Sequence, residues 1–224
     1  MNTCYVIQIE NPIGYADAMQ LQKQAFEMVM RQQIDGIILM LEHKPVLTLG
    51  RKGGIDQLKV PEKVLSSFGI EIYKSNRGGN ITYHGPGQLV TYPILNLKRF
   101  RMDTHWYLRQ LESVVITMLK TYGLEAGRKE KYTGVWLENL KIAAIGVHVE
   151  KWITTHGFSI NLQVDRGHFS LINPCGITEF GIASLEDYVM TLNSQDVLNR
   201  VQKSLEEIFE MTLIQRGIDF LEER

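Results

Sequence analysis

Gly134-Val135-Trp136-Leu137-Glu138-Asn139-Leu140-Lys141-Ile142-Ala143-Ala144-Ile145-Gly146-Val147-His148-Val149 is the stretch whose reading decides the fold. Two strand-forming runs, 134–137 and 142–149, flank Glu138-Asn139, a pair that favours a turn, so the stretch reads as a β-hairpin. A further strand is expected over 157–164. Upstream, residues 4–9, the apolar run 36–41, a short run ending at Leu49 and 70–74 also read as strands. Helical spacing of apolar residues places helices over about 14–32, 61–68, 103–122 and 194–210. Asn11-Pro12 stops the first strand and opens the first of these helices. Hairpins mixed with separated helices predict an α+β fold around a mostly antiparallel or mixed sheet. No internal repeat, low-complexity tract or linker divides the chain, so residues 1–224 are expected to form a single domain.

Composition narrows the classes. With 224 residues, 44% hydrophobic and 22% charged, the chain can bury a sizeable core. Its 24 Lys plus Arg and 25 Asp plus Glu nearly cancel, which suggests neither a nucleic-acid nor a membrane partner. Two distant cysteines, Cys4 and Cys175, make neither a disulfide framework nor a zinc knuckle. The start of the sequence lacks the basic and apolar regions of a signal peptide, and no apolar run reaches membrane-spanning length. The expected setting is reducing and cytoplasmic.

Four places break the rules of simple packing, and such breaks are where function is expected. The first is Arg77-Gly78-Gly79-Asn80-Ile81-Thr82-Tyr83-His84-Gly85-Pro86-Gly87-Gln88. Paired glycines let a backbone approach a ligand closely, and His84 stands at a strand end beside a Gly-Pro-Gly turn. A long polar hairpin reads equally well. No Gly-Lys-Ser/Thr follows, so this is not a phosphate-binding loop. The second is Lys141 at the mouth of an apolar strand: a solvated strand end, or a partly desolvated lysine able to accept a proton. The third is Thr154-Thr155-His156-Gly157-Phe158-Ser159-Ile160-Asn161, where small residues at 157 and 159 leave room for an acyl chain, and where His156 reads equally as a structural histidine. The fourth is Asn173-Pro174-Cys175-Gly176-Ile177. Cysteines are usually buried and inert, but the Pro-Cys-Gly context favours a reachable thiol that a neighbouring Lys or His would activate.

Together these residues resemble a known family. Arg77-Gly78-Gly79-x-x-Thr82-Tyr83-His84-Gly85-Pro86-Gly87-Gln88-Leu89-Val90-x-Tyr92-Pro93 is similar to the signature of lipoyl(octanoyl) transferases, the enzymes that begin protein lipoylation. Glu42-His43-x-Pro45-Val46-x-Thr48-Leu49-Gly50-Arg51, Gly134-Val135-Trp136, Lys141-Ile142-Ala143-Ala144-Ile145-Gly146, His156-Gly157-Phe158 and Pro174-Cys175-Gly176-Ile177 match in the expected order. The resemblance implies the fold of the biotin/lipoate protein ligase catalytic domain, with a mixed sheet flanked by helices. It implies that Cys175 carries an acyl-thioester and that Lys141 lowers its pKa. It further implies acyl-binding segments at Arg77, Gly78, Gly79, Asn80, Ile81, Thr82, Tyr83 and His84, at Ala144, Ile145 and Gly146, and at Gly157, Phe158 and Ser159.

The implied reaction takes an octanoyl group from octanoyl-acyl carrier protein and passes it to the lysine of a lipoyl domain. The implied recipients are 2-oxoacid dehydrogenase complexes and the glycine-cleavage H protein. Thioester exchange is nearly isoenergetic and amide formation is downhill, so neither ATP, a cofactor nor a metal is expected. Two rivals stand beside this reading. An ATP-dependent lipoate ligase on the same fold would not need Cys175, and a non-catalytic carrier-binding module would need neither Cys175 nor Lys141.

Overall fold

The coordinates are a computed structural model, which describes residues 1–32, 34–172 and 181–222. The elements run β1 (Asn2–Gln8), α1 (Tyr15–Gln32), β2 (Gly36–Leu41), β3 (Val46–Leu49), α2 (Glu62–Ser67), β4 (Glu71–Lys74), β5 (Ile81–His84), β6 (Gln88–Leu95) and α3 (Thr104–Lys120). They continue β7 (Gly127–Lys129), β8 (Tyr132–Leu137), β9 (Leu140–Glu150), β10 (Ile153–Asn161), α4 (Arg166–Ser170), β11 (Gly181–Ile182), α5 (Ser194–Phe209) and β12 (Met211–Arg216). The expected hairpin is β8–β9, with Glu138 in the left-handed region at φ 50°. The expected helices appear within two residues of their predicted ends. Asp103 caps α3 by accepting from the Trp106 N–H at 3.0 Å, and Asn193 caps α5 by accepting from Asp196.

Among the described residues the main sheet is mixed, in the order β12-β1-β2-β6-β10-β9-β8-β7, with β11 added in parallel beside β9. Neighbours β12, β1 and β2 are parallel, and the ladders from β2 to β7 are antiparallel. All of β2 is buried, because the sheet has helices on both faces. Ile38 and Met40 meet α3 and α5, whereas Ile37, Leu39 and Leu41 meet α1. Each such side chain contributes about 1.5–3 kcal/mol by leaving water. A second sheet, β4-β3-β5, packs with α4 around Leu47, Ile81, Tyr83 and Phe169.

One irregularity shapes the centre. The register that pairs Phe158 with Thr91 and Asn96 with Ile153 sets His156 opposite Pro93. Proline has no N–H for the ladder. The Thr154 hydroxyl therefore fills in, donating to the Pro93 carbonyl at 2.6 Å and accepting from the Leu95 N–H at 2.8 Å. His156 twists to φ 58°, and its N–H turns to Oε1 of Gln22 on α1 at 2.7 Å. Gly157 then lies so close to β6 that a Cβ would collide with the Thr91 carbonyl oxygen. The missing side chain at 157 thus admits the neighbouring strand.

Candidate active site

A cavity of about 680 Å³ opens between the small sheet, the β9–β10 ladder and the first turns of α3. The backbone of residues 77–80 forms one wall. It is threaded between the loop after β3 and strand β9: Gly50, Arg51 and Lys52 donate to the carbonyls of Asn80, Arg77 and Gly79, and the Gly78 N–H donates to Val147 at 2.9 Å. Gly79 sits at φ 85°, where a side chain would cost roughly 1 kcal/mol or more. Gly146 is bare because a Cβ there would press on the Gly78 carbonyl and the Arg77 stem, at 3.1 and 3.2 Å.

Arg77 is buried and turns inward. Its guanidinium donates to the hydroxyl and carbonyl of Thr48, to the Gly78 carbonyl and, at 2.8 Å, to the Asn80 carbonyl. It stitches the glycine segment to β3. Beside it lies a buried cluster of rings. His84 stacks on Tyr15 and tilts against His43, while His43 Nε2 and the Tyr92 hydroxyl share a 2.6 Å hydrogen bond. His156 Nε2 meets Asn76 Oδ1 at 2.6 Å. Burial is the main cause that lowers all three histidines: His43 to about 4, His156 to about 3, and His84 well below the ordinary imidazole value. Nearby His43 and Arg77 push His84 further in the same direction.

The opposite wall belongs to β8 and β9. Gly134, at φ 137°, leaves the space that the Lys141 stem occupies. Lys141 Nζ lies 5.1 Å from the centre of the Trp136 ring, with Lys129 Nζ 5.4 Å from the same ring. Half-buried Lys141 shares the cavity lining with Ala144, Ile145 and Gly146.

Of the residues singled out from sequence, Lys141, Arg77, Gly78, Gly79, Asn80, Ile81, Thr82, His84, Ala144, Ile145, Gly146, Gly157, Phe158 and Ser159 all line this cavity. Tyr83 does not. Its alternation on β5 turns it into the small-sheet core, where its hydroxyl and His168 Nδ1 are 2.8 Å apart. Cys175 lies outside the described residues; the buried thiol among them is Cys4, whose pKa burial raises.

Three side chains have roles that the sequence did not assign. Gln88 and Asn161 join in a buried amide pair at 2.9 Å, and Asn161 also donates to the Ala183 carbonyl at 3.0 Å. Glu112 on α3 accepts from Arg109, Arg128 and, at 3.1 Å, the Gly134 N–H, fixing the glycine that admits Lys141. Its position on the buried stripe of a helix was the available signal, since a buried carboxylate demands partners.

Comparison with known proteins agrees with this picture. The model of the lipoyl protein ligase A/B catalytic domain family matches residues 14–206. An octanoyltransferase of Clostridium kluyveri is 49% identical over the whole chain and 97% of its own length. One from Caldanaerobacter subterraneus is 46% identical over 89% of this chain and 87% of that protein. A crystal structure of lipoate-protein ligase A bound with ATP superposes with a TM-score of 0.76 over 99% of this chain and 92% of that one. At 15% identity it shares the fold alone.

Proposed function

This chain belongs to the octanoyltransferases of the lipoyl protein ligase A/B catalytic domain family and is an acyltransferase; from that premise we propose that it moves an octanoyl group from acyl carrier protein, through a thioester on Cys175, to a lysine of a lipoyl domain. The recipients are lipoyl domains of 2-oxoacid dehydrogenase complexes and the glycine-cleavage H protein, and the setting is cytoplasmic. In the described residues no helix is long and apolar enough to cross a membrane.

The observation that carries the reading is the convergence on one cavity of Lys141, the backbone of 77–80 and the half-apolar strand 144–146. The chemistry follows in two exchanges. The Cys175 thiolate attacks the octanoyl thioester carbonyl, and the carrier's sulfur leaves as a thiol by taking a proton from cationic Lys141, which is left neutral. The recipient lysine, as free amine, then attacks the new thioester; the Cys175 sulfur leaves and the surplus proton passes to neutral Lys141. Lys141 in its cationic form favours the thiolate in the first exchange.

Charge at the mouth supports a carrier-borne donor. Exposed Arg51, Lys52 and Lys131 line the cavity with Lys141, and no carboxylate stands among the described lining residues. Such a rim suits the phosphate of a phosphopantetheine arm. The testing experiment follows octanoyl transfer from carrier protein to an isolated lipoyl domain without ATP. Transfer by the wild type and none by Cys175→Ser is expected. A strict need for ATP, with Cys175→Ser as active as wild type, would point to a ligase instead.

A further inference from the structure

The cavity carries no carboxylate among its described lining residues. Three histidines line it inside or near the ring cluster, and their ring nitrogens are spent differently. His156 commits Nε2 to Asn76, and His148 is half-buried on β9. His84 commits Nδ1 to Gln88 Oε1 at 2.6 Å and makes no other hydrogen bond among the described residues. Its Nε2 is not one of the sealed-off atoms left without a partner, so it keeps an opening to the cavity the ring lines.

Which nitrogen holds the proton can be worked out from the far end of a relay. The carbonyls of Ala183 and Lys141 only accept, and Asn161 Nδ2 approaches them at 3.0 and 3.5 Å. Asn161 therefore turns its Oδ1 toward Gln88, where it accepts from Nε2 at 2.9 Å. Gln88 Nε2 also faces the Tyr83 carbonyl, at 3.4 Å. That leaves Gln88 Oε1 facing His84, and an amide oxygen can only accept. His84 must carry its proton on Nδ1, and its Nε2 is a lone pair. All three side chains of the relay are buried, so water does not scramble the order.

We propose that His84 Nε2 is a fixed hydrogen-bond acceptor for an N–H of the incoming amine, and that Gln88 and Asn161 are positioning residues that lock the ring in this tautomer. The assignment of the amine rests on the transferase reading; the tautomer does not. His84 holds the amine through that N–H and does not become the proton's destination. Burial beside Arg77, His43 and His156 keeps its basicity too low for that, and Lys141 takes the proton. The relay also ends on the carbonyl of Lys141, which Ala183 holds from the other side through a 3.0 Å N–H bond. One chain of amides thus ties the acceptor ring to the strand position of the lysine.

The test has two arms. Long-range proton–nitrogen NMR on ring-labelled protein, with the His84 signal assigned by its loss in His84→Asn, should show an Nδ1-protonated neutral ring at pH 7. An Nε2-protonated ring overturns the inference, whether or not the protein transfers acyl groups. In single-turnover kinetics His84→Asn, which can still donate to Gln88, should slow octanoyl loading much less than the transfer that follows. It should pass the octanoyl group to a lipoyl domain at least about tenfold more slowly. Gln88→Met should slow the same step and let the His84 signal move toward a tautomer mixture. If either variant slows loading and transfer equally, in proportion to lost folded protein, the acceptor role is overturned. A wild type that never loads octanoyl would overturn the amine's identity together with the transferase reading, while the NMR arm still decides the tautomer.

Discussion

The two walls of the cavity are built on opposite plans. On the small-sheet side, Arg77, His43, His84 and His156 are buried, and their polar atoms point mostly into the protein. On the β8–β9 side, Lys141 is half-buried, lies over an aromatic face and shares the cavity lining with exposed Lys131. The first wall spends its hydrogen bonds on shape. The second keeps its charge at the opening, where chemistry and recognition occur. Substitutions on the first wall, His84 apart, should therefore show mainly in stability, and on the second mainly in rate.

Arg77→Ala is the harshest test of the first wall. It takes a donor from the carbonyls of Thr48, Gly78 and Asn80, the last of which keeps the Gly50 N–H, and should destabilise the protein by about 4 kcal/mol. Denaturant unfolding measures it. A loss of activity with unchanged unfolding would move Arg77 to the other category.

Acid should dismantle the same wall. His43 is held near pKa 4 when folded and returns to about 6.5 when unfolded, so below pH 6.5 the unfolded state binds the extra proton. Stability is full above about pH 6.5 and falls as pH drops toward 4, by roughly 3 kcal/mol for this group. His43→Phe should flatten that part of the stability curve, as read by melting temperature between pH 7 and 4.5.

On the second wall, Lys141→Ala should slow octanoyl transfer about 100-fold. Its melting temperature should fall little, because the cation–π contact with Trp136 is a weak one. Equal losses in both readouts would make Lys141 a strand-end lysine. The smallest effect is expected at the rim, where Lys131→Glu or Arg51→Glu should raise the carrier-borne donor's KM by a few-fold, about 1 kcal/mol. The effect should fade as salt is added, and octanoyl-pantetheine, which lacks the phosphate, should not feel it.

How legible was this in the sequence? The hairpin, the helices and most candidate residues could be read because periodicity and the glycine motif are local signals. Strand β6 was hidden inside that motif: it is buried on both faces, so it lacks alternation, and Pro93 argues against a central strand. Its tolerance there depends on Thr154 and Gln22, partners 61 and 134 residues from the groups they serve. Tyr83 was grouped with its motif neighbours, yet strand alternation sends it to the other side. The roles of Gln88, Asn161 and Glu112 are invisible locally, since each depends on contacts made across the sheet or from α3.

The central claim is that the acyl group rests on a cysteine between donor and recipient. The most direct measurement is intact-protein mass, followed by peptide mapping, after brief mixing with octanoyl-acyl carrier protein and no ATP. One octanoyl group on Cys175, removed by hydroxylamine and absent from Cys175→Ser, is the expected result. No adduct on Cys175, or an adduct that forms only with ATP, would contradict it.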